Sequence, residues 1–304
     1  MSLMLTIASS FSFKILLFIL GAIFGSFLNV VALRYDGESP FFSGKKIGGR
    51  SRCPHCLKNL RSLDLVPFFS YLFLRGRCHF CQKKISPRYF LVELTSGLLF
   101  LTPLSILYSL DPFFFFHETI NYSLLMLAGI HFLTLITLFF ISLIDLRDRI
   151  IPDQSILFII LLALISFFFN PISFTRDYAS LFLAPQNILL NHLFAAGLIS
   201  LIFLALFLFT KGRGIGFGDV KLAPAVAFLL GYPDCLIFFA SSFLIGGLYS
   251  IFLILRHLLF PDYRFSHSVP FGPFLALGYL VTITLAIPIL QTYFSLPNHA
   301  STLF

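Results

Sequence analysis

NYSLLMLAGIHFLTLITLFFISLI, residues 121–144, contains no charged side chain, and DLRDRIIPD, residues 145–153, follows it at once. As a helix the first stretch is roughly 36 Å long at about 1.5 Å per residue, enough to cross a hydrocarbon core of about 30 Å. It is too long for a strand and too apolar on every side for the surface helix of a water-soluble domain. The rest of the chain has the same character. Its 304 residues are 58% hydrophobic and 11% charged, include 42 Phe, and have a mean hydropathy of +0.94. Soluble domains carry about a quarter charged residues, so much of this surface must face lipid. That excludes a cytosolic enzyme, a disordered tail, a coiled coil and a secreted disulfide scaffold; the five Cys are too few and too clustered for the last.

Working outward, the same reading gives eight apolar stretches: 15–33, 90–110, 121–144, 150–170, 187–209, 219–232, 235–256 and 271–292. The sixth is the short one, roughly 21 Å as helix. The expected fold is an all-α polytopic membrane protein of about eight transmembrane helices. With the N-terminus outside and the stretches alternating, 19 of the 21 Lys and Arg fall on the inner side, all but Lys14 and Arg176. Cytoplasmic loops concentrate Lys and Arg, so the net charge of +8 reads as a topology signal and not as a nucleic-acid surface. The first stretch lacks a basic start and an Ala-x-Ala exit, and is expected to stay as a membrane anchor.

The one sizeable polar segment, between the first and second stretches, holds CPHC at 53–56 and CHFC at 78–81. Two thiolates three residues apart can share a tetrahedral ion, and a second pair closes the site. Cys53, Cys56, Cys78 and Cys81 are therefore expected to hold a structural Zn2+, with His55 and His79 as spare ligands. The segment should be cytoplasmic, where disulfides are uncommon. Cys235 is given no role.

Charges inside membrane stretches are unfavourable and usually functional. Asp145 ends the third stretch, and Asp219 opens the sixth within GIGFGDVKL, residues 214–222. In the alternating topology both lie at the inner ends of their helices. Two neighbouring carboxylates can share one proton, so that one activates water while the other protonates a peptide group. Gly216 and Gly218 are expected to let the backbone turn tightly and approach a substrate, and Pro152 to end or kink its helix. Asp148 and Asp153 read as interfacial charges paired with Arg147, Arg149 or Lys221; Asp148 is the alternative to Asp145. His131 reads as a packed residue. Glu93, four residues into the second stretch, calls for a partner, with Arg88 and Lys84 as candidates.

Four stretches of the amino-terminal half, GSFLNVVALR (25–34), SRCPHC (51–56), DLVPFFSYLFLRGRC (64–78) and ISPRYFLVE (85–93), resemble prepilin peptidases, the type IV leader peptidases, in order and spacing. Asp145 with Pro152 and Asp153, and Gly216 to Leu222, are similar to the two catalytic stretches of that family. The resemblance spans most of residues 21–231 and implies a Gly-x-Gly-Asp aspartyl protease with Asp145 and Asp219 as the catalytic pair; Gly216, Gly218, Lys221, Pro152, Asp148 and Glu93 are expected to support it. It implies cleavage of the basic leader of type IV prepilins or pseudopilins at the cytoplasmic face of the bacterial inner membrane. It further implies N-methylation of the new terminus with S-adenosylmethionine, although no glycine-rich nucleotide fingerprint is visible. The corresponding division is a first membrane segment (1–34), a cysteine loop (35–89) and a peptidase domain (90–304), with prepilins and lipids as partners and no nucleic acid. The alternatives are a presenilin- or signal-peptide-peptidase-type protease, which lacks the paired cysteine loop, and a cation transporter or channel with a regulatory zinc loop.

Overall fold

The computed structural model describes residues 10–37, 51–53, 55–110, 121–169, 187–259 and 269–286. Lys45, Lys46, Arg50, Arg176, Arg264 and the end of the eighth apolar stretch lie outside them. Each of the eight apolar stretches is largely helical where described, and the described residues contain no strand, only two isolated bridges. The protein is a polytopic helical membrane protein. Five helices are long and apolar enough to cross a bilayer: Phe11–Leu33, Arg88–Leu107, Tyr122–Asp148, Ile188–Thr210 and Asp234–Leu259. Asp153–Phe169 and Gly272–Leu285 are apolar but shorter. The chain forms two compact units, residues 1–104 with 115–118, and residues 105–114 with 119–304.

In the first unit, α1 (Phe11–Leu33) starts at Ser10, whose hydroxyl accepts from the Phe13 N–H at 3.2 Å and so satisfies one of the orphan donors of the first turn. It packs on α3 (Arg88–Leu99). The contact is made by small residues, the usual device where lipid gives no hydrophobic drive between helices. A Cβ on Gly21 would lie 2.6 Å from the Ser96 carbonyl oxygen, one on Gly25 would fall onto the Ser96 side chain, and one on Gly97 would lie 2.7 Å from the Phe18 ring. The opposite face of α1 leaves Ile15, Leu16, Ile19, Leu20 and Ile23 exposed, a surface suited to lipid chains and not to water.

The second apolar stretch is not one helix from 90 to 110. It breaks after α3, at Phe100–Leu101, and resumes as α4 (Thr102–Leu110). Pro103 supplies the reason: its ring clashes with the carbonyl four residues back and it has no N–H to give. Between α1 and α3 lie a 3-10 turn (Ser62–Leu65) and the short helix α2 (Phe69–Phe73).

The second unit holds α5 (Tyr122–Asp148), α6 (Asp153–Phe169), α7 (Ile188–Thr210), α8 (Phe217–Leu230), α9 (Asp234–Leu259) and α10 (Gly272–Val281). Helix α5 packs on α6 and α10, α8 packs on α6, α7 and α9, and α10 packs on α9. The short α8 is enclosed, with Leu222, Ala223, Val226 and Ala227 fully buried. Surrounded by other helices, it has no need to match the bilayer thickness. Helix α7 instead exposes Leu189, Leu190, Leu193, Leu201, Leu204 and Leu208. The close packing of α1 on α3 predicts that Gly25→Val destabilises the protein by about 1–3 kcal/mol, the usual effect of overpacking. Gly129→Ala, with nothing within 4 Å of the added carbon, should leave the melting temperature in detergent unchanged.

Candidate active site and metal centre

Helix α5 ends because Arg149 takes the left-handed conformation at φ 57°, its N–H bonding back to the Asp145 carbonyl. Asp145 therefore lies in the last turn, where the helix is still enclosed by α6 and α10. Its side chain is only 5% exposed, and Oδ2 accepts the Gly272 N–H at 2.9 Å. Gly272 is the first residue of α10, so this carboxylate faces the positive end of a helix dipole. A Cβ on Gly272 would lie 2.7 Å from that same oxygen, so any other residue here would push the carboxylate aside.

Asp219 is the third residue of α8, also 5% exposed. Its Oδ2 accepts the Gly216 N–H at 3.2 Å, which ties the carboxylate to the helix start. Its Oδ1 is buried with no hydrogen-bond partner among the described residues. The two carboxylates are close enough for the charge of Asp145 to act on Asp219. Two further contacts draw the start of α8 to the connection between α5 and α6. A Cβ on Gly218 would lie 2.9 Å from Ile151 Cβ, and Lys221 forms an ion pair with Asp153.

These observations place the other residues singled out above. Asp148 is partly exposed and pairs with Arg147 at 3.1 Å, as expected of an interfacial charge. His131 Nδ1 meets the Tyr279 hydroxyl at 2.8 Å, well along α5 from Asp145. Three expectations need correction. Pro152 neither ends nor kinks α5, which stops at Asp148 with Arg149 as its cap; it is buried immediately before α6. Gly216 has φ −73°, open to any residue, so it needs no special freedom to turn; the space it leaves is taken by Asp219, whose Oδ2 would be 3.3 Å from an added Cβ. The partner given to Glu93 is a backbone amide: Phe68 N–H donates to Oε2 at 3.0 Å.

In the first unit the four cysteine sulfurs all lie within 4.8 Å of one another, and Cys53 and Cys81 are 3.9 Å apart. Four thiolates at about 2.3 Å from a tetrahedral centre lie roughly 3.8 Å from each other, so the group fits one metal ion. Two equivalent turns build it. Cys53 N–H bonds to Lys58 O at 3.1 Å, and Cys78 N–H to Lys83 O at 2.9 Å. Leu57 and Gln82 follow the second cysteine of each pair with φ 58° and 56°, and bridges Arg52–Asn59 and Arg77–Lys84 close the turns. The Cys56 backbone N–H above all pulls the Cys53 thiol down to about 6. The Lys83 N–H favours the Cys81 thiolate too, but burial and the three neighbouring sulfurs outweigh it and push that thiol up to about 11. One sulfur ionises easily and the last resists, as for like charges crowded together; a cation among them removes the conflict.

Residues 132–251 match the type IV leader peptidase family, and residues 19–106 match the bacterial peptidase A24 N-terminal domain. The chain belongs to the type IV leader peptidase family. It is thus an enzyme of the peptidase class, and both Asp145 and Asp219 fall within the family's match. The chain is 31% identical to a prepilin leader peptidase/N-methyltransferase of Aeromonas hydrophila, across 86% of this chain and 87% of that one. It is 28% identical to the protein of that name from Dichelobacter nodosus, across 88% and 90%. For the one from Bacillus subtilis the identity is 27%, across 91% and 96%. No solved structure matches the chain.

Gly272, which donates to Asp145, is the residue of this candidate site that sequence reasoning did not single out. Its trace was the Pro270-Phe271-Gly272-Pro273 segment opening the eighth apolar stretch. The cysteine geometry predicts about one equivalent of metal per chain in protein prepared without chelator. Cys56→Ser combined with Cys81→Ser should abolish it and leave helix content intact. Acidification should release the metal, because protons compete with it for the thiolates; metal content near zero in untreated protein contradicts the assignment.

Proposed function

We propose that this leader peptidase removes the short basic leader of type IV prepilins or pseudopilins, cutting at the cytoplasmic face of the bacterial inner membrane. The observation that carries the reading is the pair of buried carboxylates, Asp145 and Asp219, on helix ends drawn together from sites 74 residues apart. One carboxylate, ionised, takes a proton from the water that attacks the scissile carbonyl. The other, protonated, gives its proton to the carbonyl oxygen; the first then passes the proton taken from water to the leaving amine, and the second recovers its own as the carbonyl re-forms. The unpartnered Oδ1 of Asp219 is suited to carry the shared proton, while the Gly272 N–H fixes Asp145 as an acceptor. Gly216 and Gly218 support the pair by leaving room for Asp219 and for the Ile151 turn, and Lys221 by holding Asp153.

The relatives' names include an N-methyltransferase, and the second activity assigned here is methylation of the newly exposed amine with S-adenosylmethionine as donor. The cysteine loop, residues 35–89, with the helices packed against it, carries that step, and residues 90–304 carry the peptidase. The metal is zinc, in a structural role: four thiolates leave it no open position for chemistry. The division of Lys and Arg supports a cytoplasmic loop and external termini. A cation-channel reading has less support, because the deeper polar groups His131 and Tyr279 bond to each other.

Incubation with a prepilin in detergent, read by mass of the mature N-terminus, tests the peptidase. Asp145→Asn and Asp219→Asn should each slow cleavage by several orders of magnitude, while Asp148→Asn should stay within a few fold of the parent. Near-parental cleavage by a correctly inserted Asp145→Asn or Asp219→Asn protein would remove the aspartyl assignment. Cysteine placed at residue 45 should be protected from a membrane-impermeant reagent in intact cells; labelling there would reverse the topology.

A further inference from the structure

The stretch between the two cysteine turns is apolar. Residues 65–74, LVPFFSYLFL, hold no charged side chain. Apolar runs of about 10–14 residues are too short to span a bilayer and occur as core helices or as segments that enter it and return. This one is not a core helix. Phe69, Leu72 and Phe73 share one face of α2 through their i, i+3, i+4 spacing, and all three are exposed, Phe73 at 82%. The Phe69 and Phe73 rings stack with centroids 6.4 Å apart. Leu63, Leu65 and Val66 add to the exposed apolar surface. Water is a poor neighbour for such a surface.

Contacts with the spanning helices identify the neighbour that suits it. The Phe68 ring stacks on Phe18 of α1 at 5.2 Å and meets Phe90 of α3 edge-on at 5.5 Å, and Tyr71 stacks on Phe90 at 5.4 Å. Both α1 and the helical stretch that begins at Arg88 are long and apolar enough to cross a bilayer. At about 1.5 Å per residue, Phe18 lies roughly 22 Å along α1 from its loop-side end at Leu33, and Glu93 roughly 8 Å along α3 from Arg88. The segment therefore lies beside the membrane helices and not beyond their ends. Ile15 and Ile19, flanking Phe18, are exposed as well, so the lipid-facing surface of α1 borders the ring on which the segment rests. The four cysteine sulfurs converge within 4.8 Å, so the chain leaves and rejoins one place. Arg61 and Arg75, both exposed, bracket the apolar run as cationic residues bracket a membrane-seated segment.

A segment in lipid must have its backbone groups bonded within the protein. The awkward point is Phe68, at φ 61° and ψ −55°. It is the apex of a γ-turn closed by the Phe69 N–H to the Pro67 carbonyl at 2.7 Å, a form that is rare and strained. On either side, the Val66 N–H bonds to Leu63 O at 3.5 Å and the Ser70 N–H to Val66 O at 3.1 Å. The Phe68 N–H has no backbone partner among the described residues and donates to Glu93 Oε2. A buried carboxylate on a spanning helix thus serves the one amide of the turn that no carbonyl reaches. We propose that residues 65–74 form a re-entrant segment seated in the leaflet on the loop's side of the membrane. Phospholipid acyl chains cover Phe69, Leu72 and Phe73, and Glu93 anchors the turn at Phe68. The two cysteine turns are thereby held against the bilayer surface. Neither the peptidase nor the methyltransferase reading enters into this assignment.

The chain contains no Trp, so a single introduced Trp reports its own surroundings. The test uses full-length protein in phosphatidylcholine vesicles, with and without lipid brominated along its acyl chains. It compares Phe73→Trp with Ile19→Trp, on the lipid-facing side of α1, and with Lys83→Trp, exposed in the second cysteine turn. Phe73→Trp should lose emission to the brominated chains as Ile19→Trp does, and should resist aqueous acrylamide, which quenches Lys83→Trp. Glu93→Gln keeps an oxygen for the Phe68 N–H and should leave that pattern in place, whereas Glu93→Leu should return Phe73→Trp toward acrylamide. Quenching of Phe73→Trp by acrylamide alone would overturn the proposal. So would protection from both quenchers, which would mean that protein and not lipid covers this face. Lipid quenching that survives Glu93→Leu unchanged would overturn the anchoring role of Glu93.

Discussion

Two carboxylates buried in an apolar helical bundle are held in place by backbone N–H groups, and the architecture of the second unit follows from that requirement. A carboxylate removed from water is strongly disfavoured unless it is hydrogen-bonded or shares a proton. Asp145 receives the Gly272 amide at the start of α10, and Asp219 receives the Gly216 amide at the start of α8. Helix N-termini offer unpaired donors and a favourable dipole. The first bond brings the last turn of α5 to the first turn of α10, and the second lies within the first turn of α8 itself. The short α8 suits this placement because it is enclosed by neighbours and begins where the charge is needed.

The cysteine group imposes a comparable constraint on the first unit. Its two turns repeat one another at a spacing of 25 residues, Cys53 with Cys78, Cys56 with Cys81 and Leu57 with Gln82. A loop of this size buries little apolar surface of its own. A metal ion shared by both turns would supply the cross-link that a hydrophobic core provides elsewhere.

Much of this could be read from residues with a local signature. Apolar stretches mark membrane helices because lipid matching is a property of consecutive residues, and each of the eight is largely helical where described. Paired C-x2-C spacing marked the four converging cysteines, and an acid at the end of an apolar run marked Asp145 and Asp219. Recognition by backbone left no such mark. Gly272 lies 127 residues beyond Asp145 and bonds through an amide that every residue but proline owns. Glu93 was expected to pair with a cation and instead receives the Phe68 amide. The break at Phe100–Leu101 was legible in Pro103, but the hydropathy runs straight through it. The function of Gly216 was misassigned because glycine suggests a turn, whereas here it leaves space beside Asp219.

The claim that most depends on this geometry is that Asp145 and Asp219 act as one unit. Cleavage of a prepilin by Asp145→Asn, Asp219→Asn and the protein carrying both substitutions measures it directly. For a cooperating pair, losing one member removes nearly all that losing both removes, so the doubly substituted protein should cleave no more slowly than the slower single one. Rate losses that multiply in the double variant would show two groups acting independently, and would contradict a shared catalytic centre.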